Sequence, residues 1–274
     1  MQRRYESFHS PALGRSMELL VFGHHGPPLL AFPSAGGRFY DWENQGMVDA
    51  ASPWLEAGKL RLFCVDGVDH EAWLNFGADM AARARRHRDY EAHLVHEVAP
   101  LVRRECAMHE GGIAVTGCSL GGYHAASFAL KFSVVFNYAL CMGGSYDLEA
   151  VIGPSASQDV YFNSPVAYAA NLHGDALAQV RANTHLALVC GQGAWEDKCL
   201  AESHRLAAEP VRLATGAAAK GLSPRQREVA VLMAQGHSNQ DIAQLMGITT
   251  NTAASYVKQI FSRLGVHERN GVAQ

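Results

Sequence analysis

The sequence predicts an α/β body, a mostly parallel sheet covered by helices, followed by a small all-α unit. Three observations carry this. Short, near-continuous apolar runs alternate with helix-like stretches through residue 208, and strands that are apolar throughout are buried on both faces, as parallel strands are. Residues 221–274 abandon that alternation for helical segments punctuated by Gly236 and Gly247. The charge changes too: 220–274 holds six of the 23 Lys and Arg but three of the 26 Asp and Glu, so it stands at +3 and the remainder at −6. A basic end on an acidic body fits an end that faces phosphate. At 274 residues, 48% of them hydrophobic, the chain can build one large core and one small one.

Six runs read as strands: 17–23 (MELLVFG), 28–34 (PLLAFPS), 60–66 (LRLFCVD), 113–119 (IAVTGCS), 136–144 (FNYALCMGG) and 185–193 (HLALVCGQG). Each is rich in Val, Leu, Ile, Phe or Cys and closes on Gly, Pro, Ser or Asp. Helical stretches lie at 43–57, 89–105, 120–131 and 196–208, while 145–184 is less regular and reads as a cap over one end of the sheet. Residues 209–220, EPVRLATGAAAK, read as a linker, with VRLAT as an alternative last edge strand. The expected organisation is a body over 1–208, this linker, and a helical domain over 221–274.

The six cysteines, at 64, 106, 118, 141, 190 and 199, form no CxxC pair, and four lie in apolar runs. They read as reduced core residues of a cytoplasmic protein. MQRRYESFHSPALGRS is followed by no apolar run long enough for a signal peptide, and no 18-residue apolar run could span a membrane. No cofactor and no metal are expected. Arg83, Arg85, Arg86 and Arg88 read as a solvated basic face before a helix, with a second nucleic-acid patch as the alternative. Trp73, Tyr161, Phe162 and Tyr168 read as core, with pocket lining as the alternative.

In the helical end, Ser223 caps a helix with Pro224 in its first turn, and Val229, Leu232 and Met233 fall at helical spacing before Gly236. Ser238 caps a second helix packed through Ile242, Ala243, Leu245 and Met246. After Gly247, Thr249 caps a third, with Val257, Ile260, Phe261 and Leu264 facing inward. A helix–turn–helix of this size suits the DNA major groove. Residues 221–267, from LSPRQREV through AQGHSNQDIAQLMGI to Leu264-Gly265-Val266, closely resemble the LuxR-type helix-turn-helix family. The resemblance implies double-stranded DNA as partner, with helix 250–264 in the major groove. Thr250, Asn251, Ala254, Ser255 and Lys258 would then meet the DNA. Arg263 and Arg225 or Arg227 would contact phosphates or form ion pairs within the domain. Where the family commonly has Val-Lys-x-His, this chain has Ala253-Ala254-Ser255-Tyr256. The absent lysine at 254 implies a shallow salt dependence. Gln274 falls early in the helix this family uses to dimerise, so the body is expected to supply the contact of a homodimer.

In the body, Gly117-Cys118-Ser119-Leu120-Gly121-Gly122 stands between the apolar IAVT and the helical YHAASFALKF. Strand, tight turn and helix are the context of a nucleophile elbow, in which Ser119 attacks and the Leu120 amide steadies the oxyanion. The chain over 10–208 resembles the esterase branch of the α/β-hydrolase family, through FPSAGGRFYDWENQGMVDA, RLFCVDGVDHEAW, TGCSLGGYHAASFAL, DVYFNSPVAY and GAWEDKCLAESHRLA. The resemblance implies an α/β-hydrolase-like sheet, with a second oxyanion amide at Ala35 in the loop Ser34–Gly37. It also implies a triad acid at Glu196 or Asp197, of which Asp197 is favoured. The family's histidine lies after one more helix and strand, where this chain has EPVRLATGAAAKGLSP and no histidine. Past Asp197 only His204, His237 and His267 remain, and His24, His25, His70, His124, His173 and His185 read as surface or core residues.

Three functions fit. One is a transcription regulator whose body senses an ester, lactone or carboxylate, or dimerises. Another is an active carboxylic ester hydrolase that also binds DNA. The third is a truncated hydrolase fusion without function, in which apolar sheet surface would stand exposed.

Overall fold

The computed structural model describes residues 1–191, 193, 196–208, 225, 226, 229 and 239–263, with the side chains of 257, 258 and 260–263 left aside. Among them is a seven-stranded sheet of order β1-β2-β4-β3-β5-β6-β7. Its strands are β1 (Arg3–Ser10), β2 (Arg15–Phe22), β3 (Pro28–Phe32), β4 (Arg61–Val65), β5 (Ile113–Cys118), β6 (Phe136–Met142) and β7 (His185–Val189). From β4 through β7 all neighbours run parallel; β2 is antiparallel to β4, and β1 to β2. Every run read as a strand is one. β1 is an addition. RRYESFHS carries little apolar signal because it is an edge strand with a half-exposed pattern. Its charges tie it down, Arg3 to Glu43 at 2.6 Å and Arg4 to Glu105 at 2.7 Å, as edge strands require.

Side chains alternate between two faces. Leu19, Val21, Leu30, Phe32, Phe63, Val65, Val115, Ala139 and Cys141 belong to one core, with Leu94, Val102 and Phe128 of the helices above them. Leu20, Phe22, Ala31, Leu62, Cys64, Leu140 and Met142 face the other way. The stretch 43–57 is two helices, α1 (Asp41–Asn44) and α2 (Met47–Glu56), broken at Gly46 with φ of +72°. The helix expected at 89–105 starts earlier. α3 (Met80–His93) runs through a π turn (Leu94–Val98) into α4 (Ala99–Glu105), and Asp79 caps it by accepting from the Ala82 amide at 2.7 Å. The basic run is therefore inside the helix: Arg85 and Arg88 are exposed on a solvated face as expected, while Arg83 is buried and Arg86 half-buried as structural ties. Arg83 is buried and donates to the Trp73 carbonyl. Arg86 donates to Glu71 and to the Leu13 carbonyl, and Arg88 to Asp159 at 2.5 Å. Arg85 alone of the four is exposed without a recorded tie.

α5 (Leu120–Lys131) follows β5 as expected. The cap region folds as α6 (Leu148–Ile152), α7 (Gln158–Phe162), α8 (Pro165–Tyr168), a 3₁₀ turn (Ala169–Asn171) and α9 (Gly174–Asn183). Trp73 and Tyr168 are core; Phe162 is exposed. α10 (Asp197–Ala208) follows β7.

Toward the C-terminus lie α11 (Asn239–Met246) and α12 (Thr250–Arg263). α11 closes with Ile248 N–H donating to Ala243 O and Gly247 N–H to Gln244 O, while Gly247 sits at φ +64°. That paired closure needs a left-handed residue, which glycine supplies. Ile242 and Ala243 are buried as expected, but Leu245 is 60% exposed. Three residues beyond Ile242 but two beyond Ala243, it falls off the packing face. The expectations for 209–224, Leu232, Met233, Gly236, Ser238 and Leu264 lie outside the described residues. Among the described residues the six cysteines are free, no helix is long and apolar enough to cross a membrane, and no three His, Cys, Asp or Glu could hold a metal.

Candidate active site and DNA interface

Ser119 occupies the sharp turn between β5 and α5, with φ 56° and ψ −119°. A non-glycine residue there holds about 1–3 kcal/mol of strain. The surrounding glycines allow it. A Cβ on Gly117 would fall 2.3 Å from the Gly121 carbonyl carbon, and one on Gly121 would fall 2.6 Å from Pro33 O. The turn is held by Ser119 N–H donating to Met142 O at 3.0 Å and by Tyr123 N–H donating to Ser119 O at 3.1 Å. Ser119 is exposed and Leu120 buried, so the hydroxyl-bearing residue stands at the surface on the N-terminal end of α5, where amides gather positive potential.

The Gly121–Pro33 contact brings the loop after β3 beside the elbow. Asp41 at the start of α1 shapes that loop, its Oδ2 accepting from Ser34 N–H and Ser34 Oγ at 2.9 Å each. Ala35 is exposed on this loop and Gly36 follows at φ +68°. A Cβ on Gly36 would fall 2.2 Å from His70 Nε2. The structure thus lays the His70 imidazole on the loop 34–37, the candidate oxyanion loop. The sequence gives no hint of this, because His70 is remote from 34–37 along the chain. A cleft of about 160 Å³ runs past Gly36, Gly37, Arg38, Gly67 and His70.

The segment bearing His70 is fastened from below. Asp69 Oδ1 and His124 Nε2 are 2.9 Å apart, with both side chains at most 3% exposed. His124 therefore packs, as its place on α5 implied. Near it a second buried histidine, His87, lies 3.4 Å from Glu91, which also accepts from Lys131. Burial pushes the Glu91 carboxyl up, but the His87 hydrogen bond and the Lys131 ammonium outweigh it and hold the group below the ordinary carboxylate range. Burial lowers the His87 pKa, so the ring stays neutral.

The acid candidates stand past β7. Glu196 folds back over the strand end: its Oε2 accepts from Gly193 N–H at 3.3 Å and fills the space above Gly191. Asp197 opens α10 and is exposed. The loop after β6 lies between these acids and the elbow. Buried Glu202 of α10 holds it, accepting from Tyr146 N–H at 2.6 Å and Asp147 N–H at 3.0 Å.

In α12, Thr249 caps the N-terminus, its Oγ1 accepting from Thr252 N–H at 3.1 Å. Thr250, Asn251 and Ser255 are exposed, Ala254 is half-buried and Ala253 is fully buried. Gln226 Nε2 donates to Gln259 Oε1 at 2.6 Å, tying the preceding helical segment to α12. Arg225 is exposed and engaged in an interaction. The side chains of Lys258 and Arg263, and all of Arg227, lie outside the described residues.

Residues 220–274 match the model of the bacterial regulatory proteins of the luxR family. Over 52 residues the chain is 44% identical to the two-component response regulator PprB of Pseudomonas aeruginosa. That stretch is 19% of this chain and 19% of PprB, so the chain spans about a fifth of that relative's length. The body superposes on a ferulic acid esterase with a TM-score of 0.58 at 17% identity, covering 75% of this chain and 83% of the esterase. A second similar structure is FphF, a fluorophosphonate-binding serine hydrolase of Staphylococcus aureus. Its TM-score is 0.54 at 17% identity, covering 76% of this chain and 86% of FphF. Likeness at this identity establishes the fold of the body. The chain thus carries a LuxR-family helix-turn-helix DNA-binding domain at its C-terminal end, joined to a body with the α/β-hydrolase fold of the esterases.

Proposed function

We propose that this protein is a DNA-binding transcription regulator, organised as a body over 1–208, a linker over 209–220 and a DNA-binding domain over 221–274. In this reading the body is a ligand-sensing or dimerising module, and the protein works in the cytoplasm as a homodimer. One observation carries it. The strained elbow at Ser119 and its neighbouring oxyanion loop are kept, while the segment in which the resemblance expects the triad histidine contains none. Donors built for an oxyanion still attract a carbonyl or carboxylate oxygen, so the ligand class is an ester, lactone or carboxylate. Without a base, Ser119 turns such a ligand over slowly or not at all; loss of a triad histidine costs about six orders of magnitude in kcat. Ligand alters DNA affinity only as far as it binds two arrangements of the protein differently.

A second reading is favoured by His70. Its Nε2 lies against the loop 34–37 beside the elbow, and in an active carboxylic ester hydrolase it would take the Ser119 proton, while Glu196 and Asp197 stand past β7, four strands from it, too far to orient it. The test is fluorophosphonate labelling read by intact mass, with Ser119→Ala and His70→Ala as controls. A folded protein that takes no label, and whose operator binding shifts with added lactone or carboxylate, meets the regulator reading. Rapid single labelling lost in both variants refutes it in favour of the hydrolase.

A further inference from the structure

We propose that the DNA-binding domain is docked on the sheet of the body, over the β6–β7 end of the face that α1 and α2 cover, and that the two unfold as one cooperative unit. The sheet of seven strands is about 29 Å across at ~4.8 Å per strand, and one helix covers about 10 Å of it. Among the described residues, the helical cover that the body itself gives this face comes from Trp42, Met47, Val48, Ala51 and Leu55 of α1 and α2. Met47, Ala50 and Ala51 reach as far as Leu140 and Met142, with which they share a small apolar crevice. Beyond it stand half-buried Tyr138, Ala187 and Val189, on the last two strands.

The apolar cluster of this face does not stop there. It continues without a break into Val229, Ile242, Ala243 and Ala253, with Met246, Ile248 and Tyr256 packed against it. The core of the DNA-binding domain and the sheet face are therefore one cluster, and the surface that a severed hydrolase would leave bare is shared with the domain that follows it. The orientation leaves DNA reading open, because Thr250, Asn251 and Ser255 are exposed on α12 while Ala253 is buried.

The docking face also reaches the elbow. Met142 accepts the Ser119 amide through its carbonyl at 3.0 Å and contributes its side chain to the shared cluster. Gly143, the next residue, donates to Val189 O at 2.7 Å on the docking strand. A ligand that shifts the Ser119 turn thus acts one hydrogen bond from the surface that holds the DNA-binding domain. This inference stands whether the body senses a ligand or turns one over.

The experiment is hydrogen exchange with calorimetry on the full chain. In the native protein, segments 136–142, 185–189 and 239–256 are expected to lose protection together, within one calorimetric transition. Two independent transitions, or exchange of 239–256 while β6 and β7 stay protected, would overturn the proposal. Ala187→Glu sets a carboxylate on the docking face, and Ala187→Ser is the mild control. The glutamate is expected to split the transition in two and to release 239–256 to faster exchange by tenfold or more. A single unchanged transition in a folded Ala187→Glu protein would also refute the proposal.

Discussion

The buried Asp69–His124 pair permits a quantitative test of what holds the site in place. The two groups are 2.9 Å apart, 2% and 3% exposed, and the imidazole sits among Phe32, Tyr90, Tyr123 and Phe128. Among the described residues His124 Nδ1 has no hydrogen-bond partner, so Asp69 satisfies the only nitrogen that is satisfied. Asp69→Ala leaves the ring wholly unpaired in an apolar box. Leaving a buried polar group without its partner costs about 1–3 kcal/mol. For a chain of this size each kcal/mol is worth about 2–4 °C, so Tm is expected to fall by roughly 2–12 °C. Asp69→Leu with His124→Phe removes both polar groups and fills the same space with apolar ones, and is expected to lie within about 2 kcal/mol of native. Urea unfolding followed by circular dichroism gives both numbers and their coupling. A loss below about 1 kcal/mol in Asp69→Ala would refute the reasoning, and so would a double variant as weak as the two singles summed. Because Asp69 precedes His70, the single variant should also loosen the imidazole lying on Gly36.

Acid should weaken the fold in two stages. His87 is held neutral by burial; the unfolded chain takes up that proton below about 6.5, so stability falls as pH drops through that value. Glu91 is held below its ordinary value, so its contribution is intact above that value and is lost as pH falls below it. Glu91→Gln should flatten the lower stage and, because Glu91 raises the His87 pKa, steepen the upper one in a pH series of urea midpoints; an unchanged slope in the lower stage would remove Glu91 from the account. Thr249→Ala deletes the cap of α12 and should cost about 1 kcal/mol of helix stability, seen as weaker operator binding in gel shift. Lys258→Ala should weaken operator binding by about 1–3 kcal/mol if the side chain reads a base; equal affinity by fluorescence anisotropy would take it off the reading surface.

Elements whose signal is local were legible along the chain. Apolar runs placed β2 through β7 to within a few residues, because a strand covered on both faces has little room for polar side chains. Gly117, Ser119 and Gly121 announced the elbow, since glycine alone fits at 117 and 121, where a Cβ would fall within 3 Å of another backbone. Gly247 and Thr249 announced the turn and cap before α12. Features that depend on partners distant in sequence emerged only once the chain was folded. β1 forms because β2 offers it an edge, and its charges find Glu43 and Glu105. Arg83 and Arg86 are structural ties because the segment 66–79 folds over α3 and presents carbonyls and a carboxylate to them. His70 reaches Gly36 because β4 pairs with β3. The merging of the DNA-binding core with the sheet belongs to this second class: apolar patterning names the residues that must be covered, but not the element that covers them.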